Sequence, residues 1–106
     1  MRIHYKKLVR NRIPDIIRAE GRGCGVETLS PQDYLAALRA KVVEEAQELA
    51  QAPQDELITE LADMHEILDA LMAAYGIERS DVDRVQAQRH EERGGFEKRI
   101  NLLWVG

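Results

Sequence analysis

Two long segments with helical periodicity, residues 31–51 and 53–76, follow each other with only one or two residues between them. Ser30 can cap the first helix, and Pro31 suits its first position because that backbone nitrogen has no partner inside a helix. The second segment is predicted to end at Gly76, since glycine adopts the left-handed conformation easily. Helices joined by so short a connection favour antiparallel packing. The sequence therefore predicts an antiparallel helical pair.

The segments on either side of this pair are shorter. A short helix is predicted over residues 15–20, and a further helix from Ser80 to about Glu92. Residues 3–9 are predicted to form an edge strand or an extended arm. The tail, residues 96–105, is predicted to be a short strand, and the two ends could pair. The predicted fold class is all-α: an antiparallel helical bundle with short extended N- and C-terminal segments, completed by oligomerisation.

Length and composition limit the kinds of protein that this chain can be. Its 106 residues suffice for a single domain, residues 1–106, with a thin core that favours self-association. A net charge of −4 argues against a nucleic-acid polymer as partner. The single cysteine, Cys24, excludes an intrachain disulfide and suits the reducing cytoplasm. No apolar run approaches the roughly 20 residues needed to cross a bilayer. These features predict a soluble, cytoplasmic protein.

Five carboxylates recur at helical spacing on the two central helices. Glu44, Glu45 and Glu48 lie on the first, and Glu60 and Asp63 lie on the second. The expected apolar stripes are Leu35, Leu38, Val42, Ala46 and Leu49 on the first helix, and Leu57, Leu61, Met64, Leu68 and Leu71 on the second. Glu45 and Glu60 lie about 60° from the middle of their stripes. Glu48 and Asp63 lie about 120° away on the same relative edge, and Glu44 lies nearly opposite its stripe.

The matched pairs suggest a metal site. Residues at i and i+3 are neighbours on a helix surface, so each pair converges. Like charges that close repel each other, and a divalent cation removes the penalty. Ligands that are all oxygen suit Mg²⁺ or Mn²⁺. The alternative is that these carboxylates are only the solvated faces of charged helices.

Three motifs together resemble a known family. They are the acidic pairs, residues 7–14 (KLVRNRIP) and residues 92–100 (ERGGFEKRI). In combination they resemble the MazG-like nucleotide pyrophosphohydrolases, in particular their small, predicted house-cleaning branch, which is related to phosphoribosyl-ATP pyrophosphohydrolase. The resemblance covers nearly the whole chain. One departure is Asn11, where the branch usually has aspartate.

The resemblance implies an activity and a site. The activity is Mg²⁺-dependent hydrolysis of a nucleoside triphosphate, canonical or noncanonical, to the monophosphate and pyrophosphate, in a homodimer or homotetramer. The implied metal ligands are Glu45, Glu48, Glu60 and Asp63. Glu44 or Glu48 is the candidate general base. The candidate cationic donors to phosphate are Lys7, Arg10, Arg12, Arg93, Lys98 and Arg99. The competing hypotheses are a phosphoribosyl-ATP pyrophosphohydrolase, a non-catalytic nucleotide or metal sensor, and a helical interaction module.

Overall fold

The computed structural model describes residue 2 and residues 6–106, which form four α-helices and one 3₁₀ turn. The elements are α1 (Ile13–Ala19), α2 (Pro31–Gln51), the turn Gln54–Glu56, α3 (Leu57–Ala74) and α4 (Arg79–Arg93). Within that described part of the chain there is no strand, so the all-α class is confirmed. None of its helices has the length and apolar character needed to cross a membrane.

The predicted start of α2 and the predicted glycine end of α3 are confirmed, whereas α3 begins at Leu57 and not near Pro53, since residues 54–56 form the 3₁₀ turn. Ser30 caps α2 through its Oγ, which accepts a hydrogen bond from the backbone N–H of Asp33 at 3.2 Å. Gly76 has φ +65° and lies just beyond α3. There the N–H of Ile77 donates to the carbonyl of Met72 at 2.8 Å, which closes a glycine-terminated helix end.

α2 and α3 pack against each other as an antiparallel pair. At the connected end, Glu45 of α2 meets Glu60 and Asp63 of α3. At the open end, Arg39 Nε donates to Tyr75 Oη at 2.9 Å, and its guanidinium lies 5.2 Å from the centre of the tyrosine ring. Residues in the second half of α2 thus meet residues near the start of α3, and Arg39, which lies earlier in α2, meets the end of α3.

The faces that meet are not the expected stripes. Leu38 and Glu45 are buried on α2, whereas Ala46 is exposed. On α3 the half-buried residues are Glu60, Asp63, Met64, Ile67, Ala70, Leu71, Met72 and Ala74. Leu57, Leu61 and Leu68, assigned to the core from the sequence, are exposed. α3 is apolar around most of its circumference, so the pattern alone does not select the face that a single partner helix covers.

Residues 7–13 lie against this pair, whereas α4 and the tail do not pack on it. The radius of gyration is 18.4 Å, whereas a compact chain of this length would have about 13 Å. The tail that was predicted to be a strand is not one: it makes a single turn, in which Arg99 N–H donates to the carbonyl of Phe96 at 3.0 Å. No strand within residue 2 and residues 6–106 offers it a ladder of hydrogen bonds. Of the N-terminal segment, predicted to be an edge strand or an extended arm, residues 3–5 lie outside the described residues, and residues 6–9 have no regular structure.

Candidate functional site

Three carboxylates meet where α2 and α3 are connected. One oxygen each from Glu45, Glu60 and Asp63 lies within 4.8 Å of the others. Glu45 is only 7% exposed, because it lies in the middle of the face that α2 turns towards α3. Glu60 and Asp63 are three residues apart and therefore point to the same side of α3. We call this group the carboxylate cluster.

Two oxygens of the carboxylate cluster lack a hydrogen-bond partner among the residues that the structure describes. Oε2 of Glu45 and Oε2 of Glu60 are buried, and no group in the described part of the chain donates a hydrogen bond to either. Buried polar atoms are nearly always satisfied by protein, water or an ion. The unsatisfied oxygens of the cluster therefore fit a bound cation.

The charge state of Glu45 reflects this crowding. The neighbouring Glu60 carboxyl, with which Glu45 can share a proton, raises the pKa of Glu45 to about 7. Burial adds to the increase, and so do the negative charges of Glu60, Glu48 and Asp63. The metal-free fold thus favours a proton on Glu45, whereas a divalent cation would favour the ionised form.

Glu48 lies beside the cluster and not within it. It is exposed, it lines the adjoining cavity, and its charge helps to raise the pKa of Glu45. Of the four expected ligands, the fold brings three together and leaves Glu48 on the wall next to them.

Glu44 lies close to the site, although it was expected nearly opposite the apolar stripe. Because the buried face of α2 is centred on Glu45, Glu44 falls at its edge. Its carboxylate lies 3.1 Å from Lys7 Nζ and 3.3 Å from Lys41 Nζ. The hydrogen bond from Lys7 is the largest effect on the pKa of Glu44, and together with that from Lys41 it holds the pKa below its ordinary value against the opposing effect of burial. Two lysines therefore keep Glu44 ionised.

The N-terminal segment brings a second cation to the carboxylates. Nη2 of Arg10 donates to Oδ1 of Asp63 at 2.7 Å. Lys7 and Arg10 thus bind acidic residues of different helices, Glu44 on α2 and Asp63 on α3. Arg12, the third predicted donor in this segment, is exposed and lies outside the cavity wall.

Lys7 and Arg10 line a cavity of about 620 Å³ together with acidic residues of α2 and α3. A volume of this size is within the usual range for small-molecule sites. The charged groups on its wall are Lys7, Arg10, Lys41, Glu44, Glu45, Glu48, Asp63 and Glu66. Anionic and cationic groups face one space, which suits a ligand that carries negative charge together with a metal.

The C-terminal cations lie elsewhere in the single chain. Arg93 lines a separate, open cavity of about 960 Å³ with Gly94, Gly95 and Phe96. Lys98 and Arg99 are exposed and line neither cavity. The fold of one chain therefore does not bring these three predicted donors to the carboxylate cluster.

Sequence reasoning missed three polar side chains of the site: Tyr34, Lys41 and Glu66. Lys41 lies three residues before Glu44 and four before Glu45, and Glu66 lies three residues after Asp63. The same helical spacing that selected the carboxylates would have found both. Tyr34 lies seven residues before Lys41 and so shares its face.

The comparisons with known proteins leave the function open. No family model matches the chain, and no solved structure matches it. A stretch of 46 residues is 54% identical to an uncharacterized protein of Mycolicibacterium smegmatis. The match covers 43% of this chain and 47% of that protein, so it spans about half the length of this relative. The geometry of the site is therefore the main source of information on function.

Proposed function

We propose that this protein hydrolyses a nucleoside triphosphate, canonical or noncanonical, to the monophosphate and pyrophosphate with the help of Mg²⁺ or Mn²⁺. The observation that carries this proposal is the buried Oε2 of Glu45, which has no hydrogen-bond partner among the described residues and lies inside a group of three carboxylates. Two of the three, Glu45 and Asp63, line a cavity that also has cationic side chains. The resemblance of the sequence motifs to MazG-like nucleotide pyrophosphohydrolases supports the same reaction.

In this proposal the carboxylate cluster holds the cation. Glu45, Glu60 and Asp63 supply the oxygen ligands that Mg²⁺ and Mn²⁺ prefer. When bound, Mg²⁺ supplies positive charge to the phosphate oxygens and a Lewis acid near the attacking water.

The other residues have separate tasks. Lys7, Arg10 and Lys41 bind the phosphates, whose negative charge needs cationic donors. Glu48 is the proposed general base because its carboxylate is exposed on the cavity wall and bears no ion pair in the described part of the chain. It would accept a proton as the water oxygen bonds to the α-phosphorus and the bond to the pyrophosphate oxygen breaks. Glu44, engaged by Lys7 and Lys41, instead positions those lysines.

We also propose that two copies of the chain associate through the outside of α3. There, Ile58, Leu61, Leu68 and Tyr75 form an exposed line, which we call the outer stripe. Together with His65 and Met72, these residues are spaced alternately three and four positions apart. This is the spacing of residues at the contact between two helices of a coiled coil. Leu61 is 47% exposed and Ile58 is 83% exposed in the single chain. A second copy would cover this surface, in agreement with the homo-oligomer that the resemblance implies.

The activity can be tested with a panel of nucleoside triphosphates. Purified protein is incubated with natural and modified nucleotides, with and without Mg²⁺ or Mn²⁺, and pyrophosphate is measured separately from orthophosphate. We expect metal-dependent release of pyrophosphate that is lost in Glu45→Gln and kept in Glu91→Gln, an exposed glutamate of α4.

The other outcomes separate the competing hypotheses. Release of orthophosphate alone would place cleavage at a different bond. Saturable metal binding without turnover would favour phosphoribosyl-ATP as substrate or a non-catalytic sensor. If neither turnover nor metal binding is found, the carboxylates are only a charged surface and the proposal fails.

A further inference from the structure

Asp63 belongs to two arrangements at once. It is one of the three members of the carboxylate cluster, and it is also the acceptor for Arg10, whose Nη2 lies 2.7 Å from its Oδ1. A guanidinium and a divalent cation carry charges of the same sign. Each therefore weakens the hold of the other on this carboxylate.

The ion pair is placed where it can be exchanged. The side chain of Arg10 is 57% exposed and that of Asp63 is 37% exposed, and ion pairs this open to water are weak. Arg10 also lines the cavity that contains Lys7 and Lys41. A phosphate in this cavity would accept two hydrogen bonds from the guanidinium, and such a bidentate pair is stronger.

We infer that Arg10 changes partner during binding, from Asp63 in the empty site to a phosphate of the nucleotide in the loaded site. This inference rests on the proposed function. In the empty site Arg10 neutralises Asp63 and competes with the cation. Once a phosphate accepts the guanidinium, Asp63 becomes available to the cation.

The exchange makes the binding of cation and phosphate cooperative. Whatever increase in cation affinity the phosphate causes, the cation must cause the same increase in phosphate affinity. Arg10 would thus keep the site from holding a cation tightly before the nucleotide arrives. The effect depends on one side chain and can be removed by one substitution.

The test compares Arg10→Gln with a matched control. Arg84→Gln removes a similar exposed pair, Arg84 with Asp81 at 3.3 Å, on the distant helix α4. Binding of Mn²⁺ to the protein without nucleotide is measured from the decrease in the electron paramagnetic resonance signal of free Mn²⁺. Binding of inorganic phosphate is then measured by calorimetry at saturating Mn²⁺.

We expect Arg10→Gln to bind Mn²⁺ about threefold to fivefold more tightly than the unmodified protein, as loss of one exposed competing charge predicts. We expect it to bind phosphate at least about threefold more weakly. Opposite changes are the result that an exchange predicts, whereas a damaged fold would weaken both. Arg84→Gln should change neither.

Two outcomes would overturn the inference. Unchanged or weaker Mn²⁺ binding in Arg10→Gln would mean that the ion pair does not compete with the cation. Unchanged phosphate binding would mean that Arg10 never reaches the phosphate. If instead the unmodified protein binds no Mn²⁺ at all, the proposed function itself fails, and the experiment distinguishes that case.

Discussion

Glu45 on α2 and Glu60 on α3 face each other at the connected end of the helical pair, and each keeps one buried oxygen without a donor among the described residues. An arrangement of this kind costs stability when both carboxyls are ionised, because the two charges repel each other and neither is fully solvated. The same arrangement is favourable when a proton or a cation lies between them.

We expect the free energy of unfolding of the metal-free protein to fall as the pH rises from about 4.5 to about 7. Folding raises the pKa of Glu45 from 4.5 to about 7, so in this interval the folded state holds a proton that the unfolded chain has released. The stabilisation that comes from the proton on Glu45 is fully present below pH 4.5 and is lost as the pH rises through the pKa of the folded state. Urea unfolding in the presence of a chelator, at several pH values across this interval, measures it.

The control for the pH effect is Glu45→Gln, whose stability should change much less across the same interval. Glu44 affects the free energy of unfolding with the opposite sign, because Lys7 lowers its pKa. The stabilisation from Glu44 is lost only below pH 4.5, which lies outside this interval. A stability that rises between pH 4.5 and 7 in the unmodified protein would contradict the prediction.

Addition of Mg²⁺ or Mn²⁺ should stabilise the fold. A cation at about ten times its dissociation constant adds about 1.4 kcal/mol, which corresponds to an increase of roughly 5 to 10 °C in Tm for a domain of this size. Differential scanning calorimetry checks this. Glu45→Gln and Glu60→Gln should lose the increase, and Glu91→Gln should retain it. An equal increase in all of them would place the cation elsewhere.

Lys41→Met should weaken substrate binding more than it slows turnover. The ammonium group pairs with Glu44 on the cavity wall. The Lys41 side chain is only 20% exposed, and methionine keeps much of its aliphatic stem. We expect KM to rise about threefold to tenfold, with a smaller change in kcat. Steady-state kinetics measure both. Arg22→Gln, which removes an exposed charge paired with Glu20, should change neither constant.

Leu61→Glu should separate the proposed dimer. It would put a charge into the outer stripe, and burial of an unpaired charge opposes association strongly. Sedimentation velocity should find a dimer for the unmodified protein and a monomer for the variant. Val26→Glu changes another exposed apolar residue, in the loop before α2, and should leave the dimer intact. A monomeric unmodified protein would refute the proposed association.

The sequence was most informative where the structure depends on neighbouring residues. The ends of α2 and the glycine end of α3 follow from Ser30, Pro31 and Gly76, whose preferences act within one helical turn. The meeting of Glu45 with Glu60 and Asp63 followed from helical spacing and a short connection. These features need no knowledge of the rest of the fold.

Other features depend on residues far apart in the chain. The pair of Arg10 and Asp63 joins residues 53 positions apart, and no local pattern indicates it. The prediction assigned the wrong face of α3 to the contact with α2, because apolar residues surround most of that helix. The tail was predicted to be a strand from its composition, but a strand needs a neighbour, and composition does not supply one.

The short connection between α2 and α3 also bears on the order in which the chain folds. The carboxylate cluster lies within 19 consecutive residues, from Glu45 to Asp63. Closing so short a loop costs little chain entropy, and contacts this local form early. The cluster can therefore assemble as soon as this hairpin has left the ribosome, before α4 and the tail have emerged. A cation present at that moment would act as a temporary cross-link and make the hairpin a nucleus on which the rest of the protein condenses.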